Sequence, residues 1–170
     1  MAKRKKIAAI QFEGKIFSGS GEGAKFVSLS WVKEQITKNL GLTPYNGTLN
    51  IRLDQKGLAL KRRILNKVKA IKILPLEGFC QGTLFKAVFM DKLECAIVIP
   101  EVDGYPENVI EIVAPVNLRE KFQLKDGDTV KVKILIPNPP VSFLPDPLSH
   151  MQKLKFKNPV CISGNVSDRR

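Results

Sequence analysis

The chain is divided into short strand-forming stretches by clusters of residues that favour turns. In several stretches apolar and polar side chains alternate, which is the pattern of a strand with one buried face. Leu49, Ile51 and Leu53, for example, share one side of their stretch. The strands predicted in this way are Ile7–Phe17, Lys25–Leu29, Thr48–Asp54, Ala70–Leu76, Thr83–Met90, Glu94–Ile99, Val109–Ala114 and Val130–Ile136. Many short strands with turns between them predict an all-β barrel.

One segment has the features of a helix instead. Apolar residues recur at helical spacing over Trp31–Leu40, Ser30 can cap the segment, and Gly41 follows where helices commonly end. It is the one substantial helix predicted before the C-terminal tail. The predicted fold class is therefore all-β with one main helix.

The length of 170 residues suits a single domain with short flanking segments. We predict a basic N-terminal segment over residues 1–6, a barrel domain over residues 7–136 and a Pro-rich C-terminal extension over residues 137–170. No apolar run approaches the roughly 20 residues of a membrane span. A soluble, cytoplasmic protein with no membrane partner is therefore expected.

The cysteine and histidine content limits the chemistry available to this chain. Its three cysteines are widely spaced and contain no Cys-x-x-Cys pair, which argues against a disulfide framework and a zinc ribbon. The single histidine, His150, lies in the Pro-rich region, which argues against a Ser-His or Cys-His catalytic pair and against a His-bound metal. Enzymatic chemistry would therefore use carboxylates, hydroxyls, amides, lysines or backbone groups.

The net charge of +12 is concentrated in a few segments. Residues 55–73 contain seven basic residues and no acidic one. One alternative is therefore a non-enzymatic small barrel that binds nucleic acid, in which binding would depend on Arg62, Arg63, Lys67 and Lys69. Only one tryptophan and two tyrosines are present and no recognition helix is evident, so a nucleic-acid partner is not favoured.

A glycine-rich loop, Ser18–Gly23, follows the first predicted strand. It lacks the Gly-Lys-Ser/Thr of a Walker loop, and the strand expected after it argues against a dinucleotide-binding crossover. Successive backbone N–H groups of such a loop can still bind a polyphosphate. Glu22 would repel phosphate unless a metal or Lys25 screens its charge. A simple hairpin bend is the other interpretation.

Thr48 and Asn50 lie two positions apart on a predicted strand, so their Cα atoms are about 6.6 Å apart and their side chains point to one face. Both offer neutral oxygen atoms. Mg²⁺ prefers oxygen but binds weakly without carboxylates, so this pair would hold it only together with nucleotide phosphates. Alternatively, the two residues belong to a polar strand face in water.

Glu111 lies in an otherwise apolar predicted strand. Its carboxylate either faces solvent or lies in a cleft, where it could accept a proton from a substrate hydroxyl. Farther along, Arg119 or Lys121 could stabilise phosphate charge, although a surface ion pair is the more common role of such residues.

Taken together and in order, these segments resemble the archaeal CTP-dependent riboflavin kinases. The resemblance covers roughly residues 7–136, and its matching segments follow one another in the same order as in the family. The matching segments are Ser18–Gly23 with Phe26, Pro44–Asn50 with Leu53 and Asp54, Cys95–Pro100, Tyr105 with Pro106, Val109–Arg119 and Leu124–Asp128.

The resemblance implies a small six-stranded cradle-loop β-barrel that transfers the γ-phosphoryl group of CTP to the 5′-hydroxyl of riboflavin, giving FMN and CDP. It implies that Thr48 and Asn50 bind Mg²⁺ and that Glu111 contacts the flavin. The nucleotide-binding residues that it implies are Gly19, Ser20, Gly21, Glu22, Gly23, Ala24, Val116, Asn117, Leu118 and Arg119. We add the hypothesis that Glu111 orients the ribityl hydroxyl or takes its proton. A monomer is expected.

One position departs from the family pattern. The family usually has a Thr or Ser that hydrogen-bonds the flavin where this chain has Asp103. An ionised carboxylate accepts hydrogen bonds but donates none, so a flavin contact of Asp103 would differ from that of a hydroxyl. A relative that binds flavin or nucleotide without activity is therefore a further alternative.

Overall fold

The computed structural model describes residues 7–140 and residue 143. The predicted segment 1–6 and nearly all of the predicted extension 137–170, including His150, lie outside the described residues.

Seven strands of the described chain form one antiparallel sheet. The strands are β1 (Ile7–Phe17), β2 (Leu49–Leu53), β3 (Ile71–Ile73), β4 (Gly82–Phe89), β5 (Leu93–Pro100), β6 (Val109–Val113) and β7 (Thr129–Pro137). Their order is β3-β4-β5-β6-β2-β1-β7, and β4 also pairs with β7 through residues such as Ala87 and Ile134. This last pairing closes six strands into a barrel, which confirms the predicted fold class, and leaves β3 beside the first half of β4.

The alternation seen in the sequence places one set of side chains inside the barrel. Phe12 and Ile16 of β1, and Val132 and Ile134 of β7, belong to its buried apolar core. Gly14 lies in the part of β1 that pairs with β2, and a Cβ added there would be 2.5 Å from the carbonyl oxygen of Arg52. A side chain on β1 would therefore not fit at this position.

Four helices surround the barrel in the described residues: α1 (Glu22–Ser28), α2 (Ser30–Leu40), α3 (Gln55–Lys67) and α4 (Leu118–Phe122). Helix α2 confirms the predicted helix and ends at Gly41, whose φ of 72° is left-handed. Its buried residues form a second apolar cluster with Val27 of α1 and with strand residues such as Leu84 and Val98. This cluster places α1 and the loop before it against the sheet.

Two predictions of secondary structure are wrong. The segment Lys25–Leu29 is not a strand, because α1 covers it up to Ser28 and buries Val27 in the second cluster. Helix α2 is also not the one substantial helix, because α3 has 13 residues. Asp54 caps α3 by accepting a hydrogen bond of 2.8 Å from the backbone N–H of Gly57.

No helix in the part of the chain that the structure describes is long and apolar enough to cross a membrane.

Candidate active site

A cavity of about 940 Å³ opens beside β2 and β6. Its walls come from the glycine-rich loop and α1, from the start of β2, from the loop between β3 and β4, and from the segment that joins β5 to β6. The volume lies near the upper end of the range for small-molecule sites, about 300–1,000 Å³.

The glycine-rich loop packs directly against polar side chains of the sheet. A Cβ added at Gly23 would overlap both Oγ1 of Thr48 and Oε2 of Glu111, and one added at Gly19 would overlap the side-chain amide of Asn50. Gly21, with a φ of 83°, precedes α1 in a left-handed conformation that suits glycine. The loop therefore approaches these three polar side chains closely because its contact positions, Gly19 and Gly23, carry no side chain.

Strand register brings Asn50 and Glu111 together. The two residues are directly paired across β2 and β6, so their side chains point to the same face. Thr48 immediately precedes β2 and, two positions from Asn50, shares that face. One face of two neighbouring strands thus presents a hydroxyl, an amide and a carboxylate to the cavity.

Tyr105 fixes the carboxylate of Glu111. The Tyr105 hydroxyl donates a hydrogen bond of 2.9 Å to Oε1 of Glu111, whose side chain is 8% exposed. Burial, reinforced by the Glu111 carboxylate, raises the pKa of Tyr105 above its usual range. The hydroxyl therefore stays protonated and donates to Oε1.

Lys61 of α3 holds the backbone that leads into β6. Its Nζ donates hydrogen bonds of 2.7 Å to the carbonyl of Glu107 and 2.8 Å to the carbonyl of Val109. The same atom lies 6.0 Å from the ring centroid of Tyr105. The side chain is buried, and burial lowers the pKa of Lys61 to about 8, opposed by the charge of Glu107.

Arg119 of α4 brings a positive charge to the cavity. Its guanidinium lies 2.7 Å from Oδ1 of Asp126, and Oδ2 of the same carboxylate accepts a hydrogen bond of 3.0 Å from the backbone N–H of Ser18. On the opposite flank of the loop, Lys25 forms an ion pair of 2.7 Å with Glu22, and this hydrogen bond raises the pKa of Lys25. The negative charge of Glu22 is thus countered within the loop region.

Most of the site residues predicted from the sequence line this one cavity. They are Gly19, Ser20, Gly21, Glu22, Gly23, Ala24, Thr48, Asn50, Glu111 and Arg119. The structure places the side chains of four others elsewhere. Leu118 is buried in the barrel core, and Val116 packs against that core. Asn117 caps α4 by accepting a hydrogen bond from the N–H of Arg119. Asp103 is exposed and does not line the cavity. Their ligand-binding roles stay predictions.

Three residues at or beside the cavity had no functional role predicted for them from the sequence. They are Tyr105, Phe79 and Asp126. Tyr105 lies only six positions before Glu111, so the pair could have been suspected from their proximity. Phe79 and Asp126 reach the site through the folding of distant loops, which no local pattern reveals.

A metal ion at this site would depend on neutral oxygen ligands. In residues 7–140 and 143, no group of three or more His, Cys, Asp or Glu residues is arranged to hold a metal. Thr48 and Asn50 supply a hydroxyl and an amide oxygen on one face, and these are ligand types that Mg²⁺ accepts. The donor set fits Mg²⁺ when phosphate oxygens complete the coordination.

A family model described as "CTP-dep_RFKase: Domain of unknown function DUF120" matches residues 16–134. The chain belongs to the CTP-dependent riboflavin kinase family. The match spans every residue that lines the cavity, from Phe17 to Arg119, and it confirms the resemblance seen in the sequence.

Curated members of the riboflavin kinase family are similar over about three quarters of this chain. A riboflavin kinase of Pyrobaculum aerophilum is 44% identical over 137 residues, which are 76% of this chain and 63% of that protein. A riboflavin kinase of Archaeoglobus fulgidus is 40% identical over 75% of this chain and 55% of its own length, and one of Methanosarcina barkeri is 36% identical over 74% and 56%. The chain thus spans less than two thirds of each of these relatives.

The four basic residues of the nucleic-acid alternative belong to α3 or follow it, and none of them lines the cavity of this riboflavin kinase family member. Arg62 forms an ion pair with Glu107, and the guanidinium of Arg63 lies 4.4 Å from the ring centroid of Phe143. Lys67 and Lys69 are exposed.

Proposed function

We propose that this chain is a CTP-dependent riboflavin kinase, which transfers the γ-phosphoryl group of CTP to the 5′-hydroxyl of riboflavin and releases FMN and CDP. The observation that carries the proposal is the contact of Gly23 with both Thr48 and Glu111. It means that a loop able to bind phosphates and a carboxylate able to accept a proton face the same point.

The charge distribution supports a triphosphate next to the glycine-rich loop. Backbone N–H groups of a glycine-rich loop bind phosphate oxygens, and Arg119 adds a guanidinium with several donors. Lys25 neutralises Glu22, so the loop carries no uncompensated negative charge from that residue. Phosphoryl transfer depends mainly on positioning and on charge stabilisation, which matches a cavity whose described lining contains no histidine.

Thr48 and Asn50 would hold Mg²⁺ together with the phosphates of CTP. When bound, the ion would neutralise charge on the transferred phosphoryl group. Their neutral side chains suit this role, since they bind the ion firmly only when a nucleotide is present.

Glu111 is the proposed base. The 5′-hydroxyl oxygen of riboflavin forms a bond to the γ-phosphorus, the bond from that phosphorus to the bridging oxygen of CDP breaks, and the hydroxyl proton passes to the Glu111 carboxylate. Because Tyr105 donates to Oε1, the second carboxylate oxygen, Oε2, is the one that faces Gly23 and the cavity. Tyr105 thus orients the carboxylate for proton transfer.

A direct assay of the purified 170-residue chain tests the proposal. Riboflavin would be supplied with either CTP or ATP, in the presence of Mg²⁺ or of EDTA, and FMN and CDP would be measured by chromatography. We expect equal amounts of FMN and CDP with CTP and Mg²⁺. The E111Q variant should lose this activity, whereas E94Q, which changes an exposed glutamate of β5, should keep it. FMN formation with ATP but not with CTP would overturn the nucleotide assignment. No FMN with either nucleotide would overturn the kinase assignment.

A further inference from the structure

Three aromatic rings form a row beside the cavity. Trp31 contacts Phe26 edge to face at 5.8 Å between centroids, and it contacts Phe79 at 5.5 Å. Phe26 and Phe79 line the cavity. Phe79 is 46% exposed, so a large apolar ring is presented to the cavity instead of being buried. Aromatic rings presented in this way are suited to contact another flat apolar surface.

The loop that carries Phe79 is held at both ends. At its start, the Gln35 side-chain amide both donates to the carbonyl of Leu74 and accepts from its N–H, each at 2.9 Å. At its end, Glu101 accepts from the Gln81 side chain at 2.8 Å and donates its own N–H to the Gln81 carbonyl at 2.9 Å. The position of Phe79 is therefore set by hydrogen bonds that the ring itself does not make.

A tight turn at the middle of this loop directs the ring outward. The N–H of Phe79 bonds the carbonyl of Leu76 at 3.0 Å, and Gly78 has a φ of 84°, which a residue with a side chain rarely adopts. Trp31 then supports the edge of the Phe79 ring. The arrangement keeps the ring in place before any ligand binds.

We propose that Phe79 is the stacking residue for the isoalloxazine ring of riboflavin and so determines flavin affinity. The inference rests on the proposed function and assigns the flavin to one part of the cavity. The loop beside Phe79 adds the Cys80 side chain, and Val102 contributes a second exposed apolar side chain to the lining. The charged side chains of the lining come from the glycine-rich loop, α1, β6 and Arg119 instead, and on the aromatic side Gln81 adds a neutral amide beside Cys80. The flat tricyclic flavin therefore matches the aromatic part, and the triphosphate matches the polar part.

Variants of Phe79 test this assignment by steady-state kinetics with each substrate varied in turn. Loss of a stacked aromatic ring should raise the KM for riboflavin in F79A by about tenfold. The KM for CTP should stay unchanged. F79Y keeps the ring and should restore the riboflavin KM, whereas F79L keeps apolar bulk and should not. L65A is the matched control, because Leu65 is 40% exposed on α3 and does not line the cavity.

Binding measurements separate this inference from the proposed function. Trp31 is the chain's one tryptophan, so its emission reports ligands near Phe79, and riboflavin should quench it. Lumichrome, which has the flavin ring without the ribityl chain, should lose affinity for F79A by the same factor as riboflavin. A wild-type chain that binds no riboflavin would overturn both proposals. If the wild type makes FMN while F79A has an unchanged riboflavin KM, or a raised CTP KM instead, only the stacking assignment is overturned.

Discussion

Ser18 and Asp126 are 108 positions apart in the sequence, yet the backbone N–H of Ser18 donates a hydrogen bond of 3.0 Å to Oδ2 of Asp126. The other oxygen of this carboxylate pairs with Arg119. Hydrogen bonds from Ser18 and Arg119 hold the pKa of Asp126 below its usual range, so the carboxylate is ionised near neutral pH. One exposed side chain thus joins the start of the glycine-rich loop to the guanidinium that lines the cavity.

Replacing Asp126 should weaken nucleotide binding. D126A removes the acceptor for Ser18 and the partner of Arg119, so the glycine-rich loop and Arg119, the two elements proposed to bind the nucleotide, lose their common support. We expect the KM for CTP to rise by on the order of tenfold, because misplacement of substrate-positioning groups is costly. The KM for riboflavin should change little. D126N, which keeps an oxygen acceptor but loses the charge, should show a smaller effect.

D91N is the control for Asp126, because Asp91 is also an exposed carboxylate in an ion pair, with Lys133 at 2.6 Å. Initial rates at varied CTP give the comparison. The link would have no role in nucleotide binding if D126A and D91N had the same KM for CTP.

Gly23 should not tolerate a side chain. The Cβ of G23A would overlap Thr48 and Glu111, and Glu111 is held in place by Tyr105. We expect kcat/KM to fall by about 100-fold, as small displacements of reacting groups can cause. Unfolding free energy should fall by about 1–3 kcal/mol because the site is overpacked.

The matched glycine control is G82A in β4. A Cβ there would lie 3.7 Å from Cδ1 of Ile73, which is an ordinary contact. Urea unfolding and steady-state rates of both variants give the comparison. A G23A variant with wild-type kcat/KM would show that the loop does not approach the sheet as closely as described.

The strands β1 and β7 were predictable because each carries its own alternation of apolar and polar residues. β1 has the predicted bounds, Ile7–Phe17, since an eleven-residue alternating stretch has few alternative folds. Closure of the barrel is different, because it depends on pairing between β4 and β7, such as that of Ala87 with Ile134. Nothing local to either strand specifies its partner. The closed barrel was therefore inferred from the number of strands and from the family resemblance.

Helix α3 shows why a correct signal was missed. Asp54 is an N-cap residue, and Leu60 and Ile64 lie four positions apart on the side that packs on the barrel. Basic residues dominate this stretch of the sequence, and they obscured the helical spacing of its apolar residues.

In the site, the glycine-rich loop and Glu111 are unusual for their local sequence context, whereas the metal role of Thr48 was implied by the family resemblance. Phe79 could not be predicted from the sequence, because its proposed role depends on a loop that is held in place by the distant residue Gln35.

Tyr105 should affect catalysis more than stability. Y105F removes the hydroxyl that donates to Oε1 of Glu111 and leaves the ring in place. Without this donor the carboxylate loses its fixed orientation, and misplacement of a reacting group is costly, so kcat should fall by about tenfold. Initial rates at saturating substrates measure kcat, and urea unfolding measures stability.

The other tyrosine provides the control for Y105F. Tyr45 is 45% exposed and does not line the cavity, so Y45F should behave as wild type. If Y105F had the same kcat as Y45F, the hydrogen bond to Glu111 would not contribute to the reaction.

The metal assignment predicts a specific dependence on Mg²⁺. T48A/N50A removes both neutral oxygen donors while leaving the buried residues of β2 unchanged. We expect turnover to fall by about 100-fold or more, because charge stabilisation of the phosphoryl group supplies much of the catalysis. The Mg²⁺ concentration that gives half-maximal activity should rise. The control is R52Q, at the next outward position of the same strand, which should keep the wild-type Mg²⁺ dependence. If T48A/N50A also kept the wild-type Mg²⁺ dependence, Thr48 and Asn50 would not bind the metal.

Lys61 should make the unfolding free energy of the chain increase with pH. Burial lowers the pKa of Lys61 in the folded chain to about 8, whereas a lysine in the unfolded chain keeps a pKa of about 10.4. Between these values the unfolded chain binds a proton that the folded chain lacks. The contribution of Lys61 to the unfolding free energy therefore rises as pH increases through this window, and the full shift corresponds to about 3 kcal/mol.

K61M isolates this contribution, because methionine fills a similar volume without a titratable group. At pH 7 two effects of the substitution oppose each other: the carbonyls of Glu107 and Val109 lose their donor, which costs about 1–3 kcal/mol, and the variant no longer buries an ammonium group. The difference in unfolding free energy between wild type and K61M should then grow between pH 8 and pH 10. K67M, which changes an exposed lysine of the same helix, should show no such growth. Urea denaturation at pH 7, 8.5 and 10 measures the difference, and a constant value would mean that Lys61 is charged throughout.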